Sequence, residues 1–347
     1  MSRWKIKRMA DKLRKPNLFI VGALKSGTTA LHEFLKQHPD IFMSDRKELR
    51  FFDKDIVKRS DEYINKNWWN PFKRRRLYRI QTEEDYLNNF TGWGNEKIAG
   101  ESSPQYLMSK VSAREIHRFN PDAKIIIMLR EPIDWMRSYH AQSLFAGYET
   151  VSDFEKALTL EKDREAGKRI PNFSRLTDFS SELLYSRRAR FSKQVKRYFD
   201  VFDRRRIKII IYEDFKKDNA GVYREVLEFL GVDPNFKPNF DQINIRKEVR
   251  FMRFRILLLS LLGSRNFRKI LRLPKYRLPP RVREPYMRAY TGLLSFPNSR
   301  IFVKPAVRTP IDPELRAKLM KKFKPEVGRL SRLVGRNLVS LWGYDGI

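Results

Sequence analysis

Asn17-Leu-Phe-Ile-Val-Gly-Ala-Leu-Lys-Ser-Gly-Thr-Thr29 is the stretch whose reading decides the fold. From Asn17 to Gly22 it is a short continuous apolar run, the pattern of a strand buried on both faces of a parallel sheet. After the glycine-bearing loop, Ala30, Leu31, Phe34 and Leu35 recur at helical spacing as far as His38-Pro39, where proline stops the helix. Strand, loop and helix in this order begin an open α/β sheet. Such a turn presents free backbone N–H groups at the positive end of the helix dipole, which makes it an anion site. Gly22 and Gly27 let the backbone approach a ligand closely. Lys25 adds one charge, and Ser26, Thr28 and Thr29 add three hydroxyl donors.

Outward from this loop the alternation continues. Lys97 to Glu101 is a short, weak strand pattern. Lys124 to Leu129 is a strong one, followed by a helical pattern from Ile133 to Leu144. Arg206 to Tyr212 is also strong and leads to a helical pattern from Val222 to Leu230, ended by Gly231. Glu182 to Phe202 reads as one helix. Strands alternating with helices predict a central parallel sheet flanked by helices. Near the end, Asp312-Pro313-Glu314 predicts a helix start, and apolar positions continue to Gly335. The expected organisation is a basic tail over 1–16 and a single domain over 17–347. Within it, about 54–92 reads as an insertion and about 235–310 as a basic helical region on the acceptor side.

Composition narrows the function classes. The chain has 347 residues, a formal net charge of +32, 41% hydrophobic residues and no cysteine. The apolar content supports a packed core, and disulfides, thiolate metal sites and cysteine nucleophiles are excluded. The charge predicts attraction to nucleic acid, anionic polysaccharide, anionic lipid or phosphorylated cofactors without choosing among them. The basic N-terminus lacks the apolar region of a secretory signal, and no apolar run reaches the length of a spanning helix. A cytoplasmic location is therefore expected. The basic, apolar stretch from Phe251 to Leu273 reads either as an amphipathic helix on the inner membrane surface or as a core helix with its arginines in water.

The loop invites comparison with the P-loop, G-x-x-x-x-G-K-[ST]. Gly22 and Gly27 have its spacing, but Lys25 precedes the second glycine and Thr28 stands where the motif has lysine. A Walker-B strand ends in a carboxylate that helps hold Mg²⁺. The strand Lys124 to Leu129 ends in Arg130 instead. Cations at both corners point to an anionic ligand bound without Mg²⁺.

With these residues in view, the chain resembles the sulfotransferases that use 3′-phosphoadenosine 5′-phosphosulfate (PAPS). Lys25-Ser-Gly-Thr-Thr29 looks like their 5′-phosphosulfate loop. Leu129-Arg-Glu-Pro132 with Ser138 looks like their 3′-phosphate site. Lys47-Glu-Leu-Arg-Phe-Phe-Asp53 and Gly100-Glu-Ser-Ser-Pro-Gln-Tyr106 resemble segments of the heparan-sulfate-type and bacterial branch, and Leu333 to Tyr344 resembles its ending. The resemblance implies a P-loop-like PAPS fold in which Lys25 neutralises the leaving oxygen, Ser26, Gly27, Thr28 and Thr29 hold the 5′-phosphate, and Arg130 and Ser138 hold the 3′-phosphate. It also implies Glu48 as general base and, from the small-molecule branch, Tyr212 against adenine. The implied reaction sulfates a hydroxyl or amine of a carbohydrate or glycolipid-like acceptor and leaves adenosine 3′,5′-bisphosphate.

There are departures from the family pattern. Ser102 stands where heparan-type enzymes often carry lysine, and without cysteine the disulfide-bounded loop of the animal enzymes cannot form. The late Arg-Lys-Gly loop of the cytosolic type is absent too. The acceptor end thus differs more than the donor end. His140 is the rival base to Glu48, and Phe51-Phe52 read as core. Trp68-Trp69 with Lys73 to Arg76 read as a solvated loop ahead of a sugar clamp. The histidines lack metal-ligand spacing, so no metal is expected. Two other readings compete: a P-loop kinase-like phosphotransferase, and a non-enzymatic polyanion or nucleic-acid binder. No specific nucleic-acid signature supports the latter.

Overall fold

The computed structural model describes residues 14–56, 80–171, 174–175, 180–241 and 310–347, and the backbone of 247–249 and 303–305. The basic tail up to residue 13, Trp68-Trp69 with Lys73 to Arg76, and the Phe251 to Leu273 stretch lie outside the described residues.

Five parallel strands form the central sheet: β1 (Leu18–Gly22), β2 (Ile41–Met43), β3 (Ile98–Ser102), β4 (Lys124–Leu129) and β5 (Ile207–Ile211), in the order β2-β3-β1-β4-β5. The apolar run read from the sequence is β1 itself, and the two strong patterns are β4 and β5. Both faces of the sheet are covered, which is why β1 has no polar alternation. Leu18 and Ile20 enter one apolar cluster and Phe19 and Val21 the other, all four without exposure. Each such side chain contributes roughly 1.5–3 kcal/mol of burial. Gly100 on β3 is required by close approach, since a Cβ there would lie 2.9 Å from the Leu18 Cβ across the pair.

The helices follow from local signals. α1 (Thr28–Leu35) starts after Gly27, and α2 (Glu83–Leu87) is capped by Thr82. α3 (Ser112–Phe119) precedes β4, and α4 (Pro132–Ala146) follows it with Pro132 in the first turn and Gly147 closing its end. α5 (Phe154–Thr159) and α6 (Glu161–Glu165) are short. Within the stretch read as an insertion, Tyr86, Leu87 and Phe90 are buried in the core beside Phe52.

The single helix expected over Glu182 to Phe202 is instead three pieces: a 3₁₀ turn at Ser180–Leu183, α7 (Tyr185–Arg188) and α8 (Phe191–Phe199). Leu184 and Arg190 leave helical geometry, with ψ of 70° and 77°. The breaks place buried Glu182 against Arg188 at 2.6 Å, and the Gln194 side chain donates to the freed Arg188 carbonyl at 2.8 Å. An ion pair that must be buried outweighs helix continuity here.

α9 (Tyr212–Lys217) and α10 (Asn219–Leu230) follow β5, a two-stranded antiparallel pair joins β6 (Lys247–Val249) to β7 (Val303–Pro305), and α11 (Pro313–Val334) leads to α12 (Leu338–Leu341). Asp312 caps α11 and Gly335 ends it, both as the sequence predicts. The chain's end docks beneath the strand tips. The Trp342 indole donates to Glu213 at 3.0 Å, and Tyr344 donates to Glu131. Among the described residues no helix is long and apolar enough to cross a membrane.

Candidate active site

Every candidate side chain follows the carboxyl end of a parallel strand, where open α/β sheets bind ligands. β1 is the switch point, with β3 on one side and β4 on the other. The loop after β1 is built for close approach: a Cβ on Gly22 would meet the Leu107 Cβ at 2.5 Å, and Gly27 sits at φ 90°. Gly27 precedes α1 without a side-chain cap, and no acidic residue lies in the first turn. The orphan N–H groups and the helix dipole therefore act unopposed.

The structure brings Lys25 and Arg130 to one corner. The Arg130 guanidinium donates to the Lys25 carbonyl at 3.1 Å and lies 4.6 Å from the centre of the Tyr212 ring. Its Nε is buried without a hydrogen-bond partner among the described residues. Lys25 itself donates to Gln142 on α4 at 3.2 Å. Trp135, Ser138 and Gln142 form one stripe of α4, at i, i+3 and i+7. Because Trp135 donates to the Leu24 carbonyl and Gln142 accepts from Lys25, Ser138 belongs to the face turned toward the loop. Ser26 is fully buried, with its hydroxyl 3.5 Å from the Leu24 carbonyl, at the outer limit of a hydrogen bond. Glu131, next to Arg130, is occupied in capping α4 through the amides of Ile133 and Asp134.

Glu48 is exposed on the segment after β2, its amide bonded to the Ser102 carbonyl at 2.9 Å. Its charged neighbours are engaged elsewhere. Arg50 grips Asp53 through Nε and Nη2 at 2.8 and 2.6 Å, and the Lys47 ammonium donates to the Thr29 hydroxyl. Burial holds the Lys47 ammonium below its ordinary value, with Glu48 and Glu33 opposing. On α1, His32 is pushed down to about 3, by burial first and then by Lys47 and Lys36. Lys47 thus sits at the loop after β1, a position that the motif from Lys47 to Asp53 names without giving it a role. Its signal was adjacency to Glu48, which says nothing of Thr29.

The rival base His140 turns to the opposite side of α4. It is buried, bonded through Nε2 to the Val151 carbonyl at 2.8 Å, and held below its ordinary value by burial. Phe52 is core, and Phe51 stacks on Tyr86. Ser102 is fully buried. No group of side chains among the described residues is arranged to hold a metal ion.

Below the cleft lies Glu101, fully buried on β3. Tyr86 and Tyr106 donate to its Oε1 at 3.1 and 2.8 Å, and Ser103 to its Oε2 at 2.6 Å. Burial raises its carboxyl from 4.5 to about 7 against these donors, with the charge of nearby Asp53 adding to the rise. Between these values the folded protein retains a proton that the unfolded chain has released. The favourable contribution is complete below about 4.5 and is lost as pH rises through about 7. Glu101→Gln removes this term. Its stability relative to the parent is expected to improve by roughly 3 kcal/mol from pH 4.5 to above 7. Urea unfolding of both proteins across that range measures the change, and parallel pH profiles would refute it.

Comparisons with known proteins bear on the family and the fold. A family model described as the sulfotransferase family matches residues 16–237. The chain is 30% identical over 131 residues to human heparan sulfate glucosamine 3-O-sulfotransferase 6, covering 38% of this chain and 31% of that protein. It is 29% identical over 126 residues to a membrane-associated sulfotransferase of Dictyostelium discoideum, covering 36% of this chain and 22% of that one. The chain spans less than a third of the length of these curated relatives. The crystal structure of a sulfotransferase from Alicyclobacillus acidocaldarius superposes with a TM-score of 0.63 at 27% identity, over 94% of this chain and 98% of that one.

Proposed function

Because the chain belongs to the sulfotransferase family, we propose that it transfers a sulfuryl group from PAPS to a hydroxyl or amine of a carbohydrate or glycolipid-like acceptor. The observation that carries this reading is the corner shared by Lys25 and Arg130, where a buried guanidinium, its Nε without a hydrogen-bond partner among the described residues, abuts the backbone of the loop lysine. The residues present fit a doubly phosphorylated nucleotide: backbone amides and an uncapped helix start at one end, a guanidinium at the other.

When bound, the donor supplies a sulfuryl group on a phosphate leaving group. Lys25 neutralises charge gathering on the leaving oxygen, and the amides of Ser26 to Thr29 with the threonine hydroxyls hold the 5′-phosphate. Lys47 adds a second cation beside Thr29, and so supplies the charge that Ser102 lacks relative to the family pattern. Arg130 and Ser138 hold the 3′-phosphate, while Tyr212 braces Arg130 and borders the adenine. Glu48 takes the acceptor's proton; its exposure suits a group that must meet an incoming substrate. A carbohydrate-like acceptor is favoured by the likeness to a heparan sulfate enzyme. A cytoplasmic setting stays part of the proposal and rests on the sequence alone.

Thermal unfolding tests the donor site. Adenosine 3′,5′-bisphosphate without Mg²⁺ is expected to raise the melting temperature, with a stabilisation of about 2.7 kcal/mol at a hundred times its Kd. ATP under the same conditions is expected to do less. Stabilisation by ATP that depends on Mg²⁺, with none from the bisphosphate, would support the phosphotransferase reading instead.

A further inference from the structure

The turn that presents Glu48 is held from within by Arg50 on Asp53 and from β3 by the Glu48 amide on the Ser102 carbonyl, and its central amides are held by hydroxyls. Glu48 and Arg50 lie at φ 57° and 55°, in the left-handed region that side-chain-bearing residues disfavour. Leu49 and Phe52 anchor the turn by burial. The amides between them are held from below: Arg50 N–H donates to the Ser103 hydroxyl at 3.2 Å and Phe51 N–H to the Tyr106 hydroxyl at 3.0 Å. A hydroxyl aims its lone pairs according to where its own proton goes. Both protons go to Glu101, Ser103 to Oε2 and Tyr106 to Oε1.

We infer that Glu101 is a positioning residue which, through the hydroxyls of Ser103 and Tyr106, fixes the backbone turn that aims Glu48 at the acceptor; the catalytic half of this rests on the reading of Glu48 as proton acceptor. Above about pH 7, where the folded protein releases its proton, the Glu101 carboxylate accepts from all three hydroxyls and offers no donor of its own. Exchange and turnover are therefore read above that pH. A glutamine would present an NH₂ to Ser103, reverse that hydroxyl and compete with the Arg50 amide. The groups facing Glu101 are the Tyr86, Tyr106 and Ser103 hydroxyls, with Asp53 acting on it through charge and itself gripped by Arg50. The network therefore runs from β3 to the two central amides of the turn, those of Arg50 and Phe51. Chains of this kind strengthen one another in a low-dielectric interior.

The test uses Glu101→Gln, Ser103→Ala and Tyr106→Phe in the full chain, with amide hydrogen exchange and steady-state turnover as readouts. In Glu101→Gln the Arg50 and Phe51 amides are expected to exchange about tenfold faster. Ser103→Ala should release Arg50, and Tyr106→Phe should release Phe51. Turnover is expected to fall about 10- to 100-fold, the scale of a misplaced catalytic group. Affinity for adenosine 3′,5′-bisphosphate should stay within about twofold, and Glu101→Gln should add nothing to the loss in Glu48→Gln. Parent-like protection of both amides overturns the proposal, as does full turnover once protection is lost. A further loss on the Glu48→Gln background also overturns it, because a merely structural defect adds to any other. If Glu48→Gln keeps parent turnover, the base assignment fails, while the exchange result still decides whether Glu101 holds the turn. Should Glu101→Gln not fold, the two hydroxyl variants decide the question by the same readouts.

Discussion

Replacing Lys25 with alanine is expected to cut sulfuryl-transfer turnover by about 100-fold or more, the usual cost of removing a preorganised electrostatic contact to a developing charge. The fold should survive. Lys25 is half-exposed and its side chain bonds to Gln142, while the loop backbone is held by the Arg130 contact to the Lys25 carbonyl, which alanine retains. Alanine also accepts the φ of 61° no worse than lysine does. The loss should fall on kcat more than on donor affinity, because the ammonium's work is greatest when the leaving oxygen carries most charge. Steady-state rates with varied PAPS separate the two. Turnover within a few-fold of the parent would show that the leaving-group role lies elsewhere, with Lys47 the next cation to examine.

Arg130→Ala is expected to weaken adenosine 3′,5′-bisphosphate binding by about 10- to 100-fold, the range for hydrogen bonds to a charged group. Arg130 touches both Lys25 and Tyr212, so part of any loss could come from a loosened loop. The diagnostic quantity is therefore discrimination between adenosine 3′,5′-bisphosphate and adenosine 5′-phosphate. It should collapse if the guanidinium reads the 3′-phosphate. Retention on an anionic polysaccharide column should hardly change, because one charge is removed from a formal +32. Calorimetric titration with both nucleotides gives the ratio. An unchanged ratio would remove Arg130 from the 3′-phosphate site.

Much of this was legible in the sequence. The run from Leu18 to Val21, the glycines at 22 and 27 and the helical spacing after them correspond to β1, its loop and α1. Strand and helix periods are local properties, set by which neighbours along the chain share a face. Asp312 and Gly335 were legible for the same reason, since a cap acts within one turn. The sequence was weaker where stabilisation is not local. Ile41–Met43 is too short to show a period and is a strand only because β3 lies beside it. The break in the expected helix after Glu182 comes from an ion pair and packing that no periodicity records.

The chain's own sequence determined the class of sheet, the place of the glycine-bearing loop and the identity of the cations after β1 and β4, because each depends on residues a few positions apart. Tertiary structure decided which of these meet. Arg130 reaches the Lys25 carbonyl and Lys47 reaches Thr29 because the order β2-β3-β1-β4-β5 brings separate segments together at the carboxyl ends of the strands. That order is the outcome of covering both faces of the sheet at once, a global condition which no short window of residues expresses.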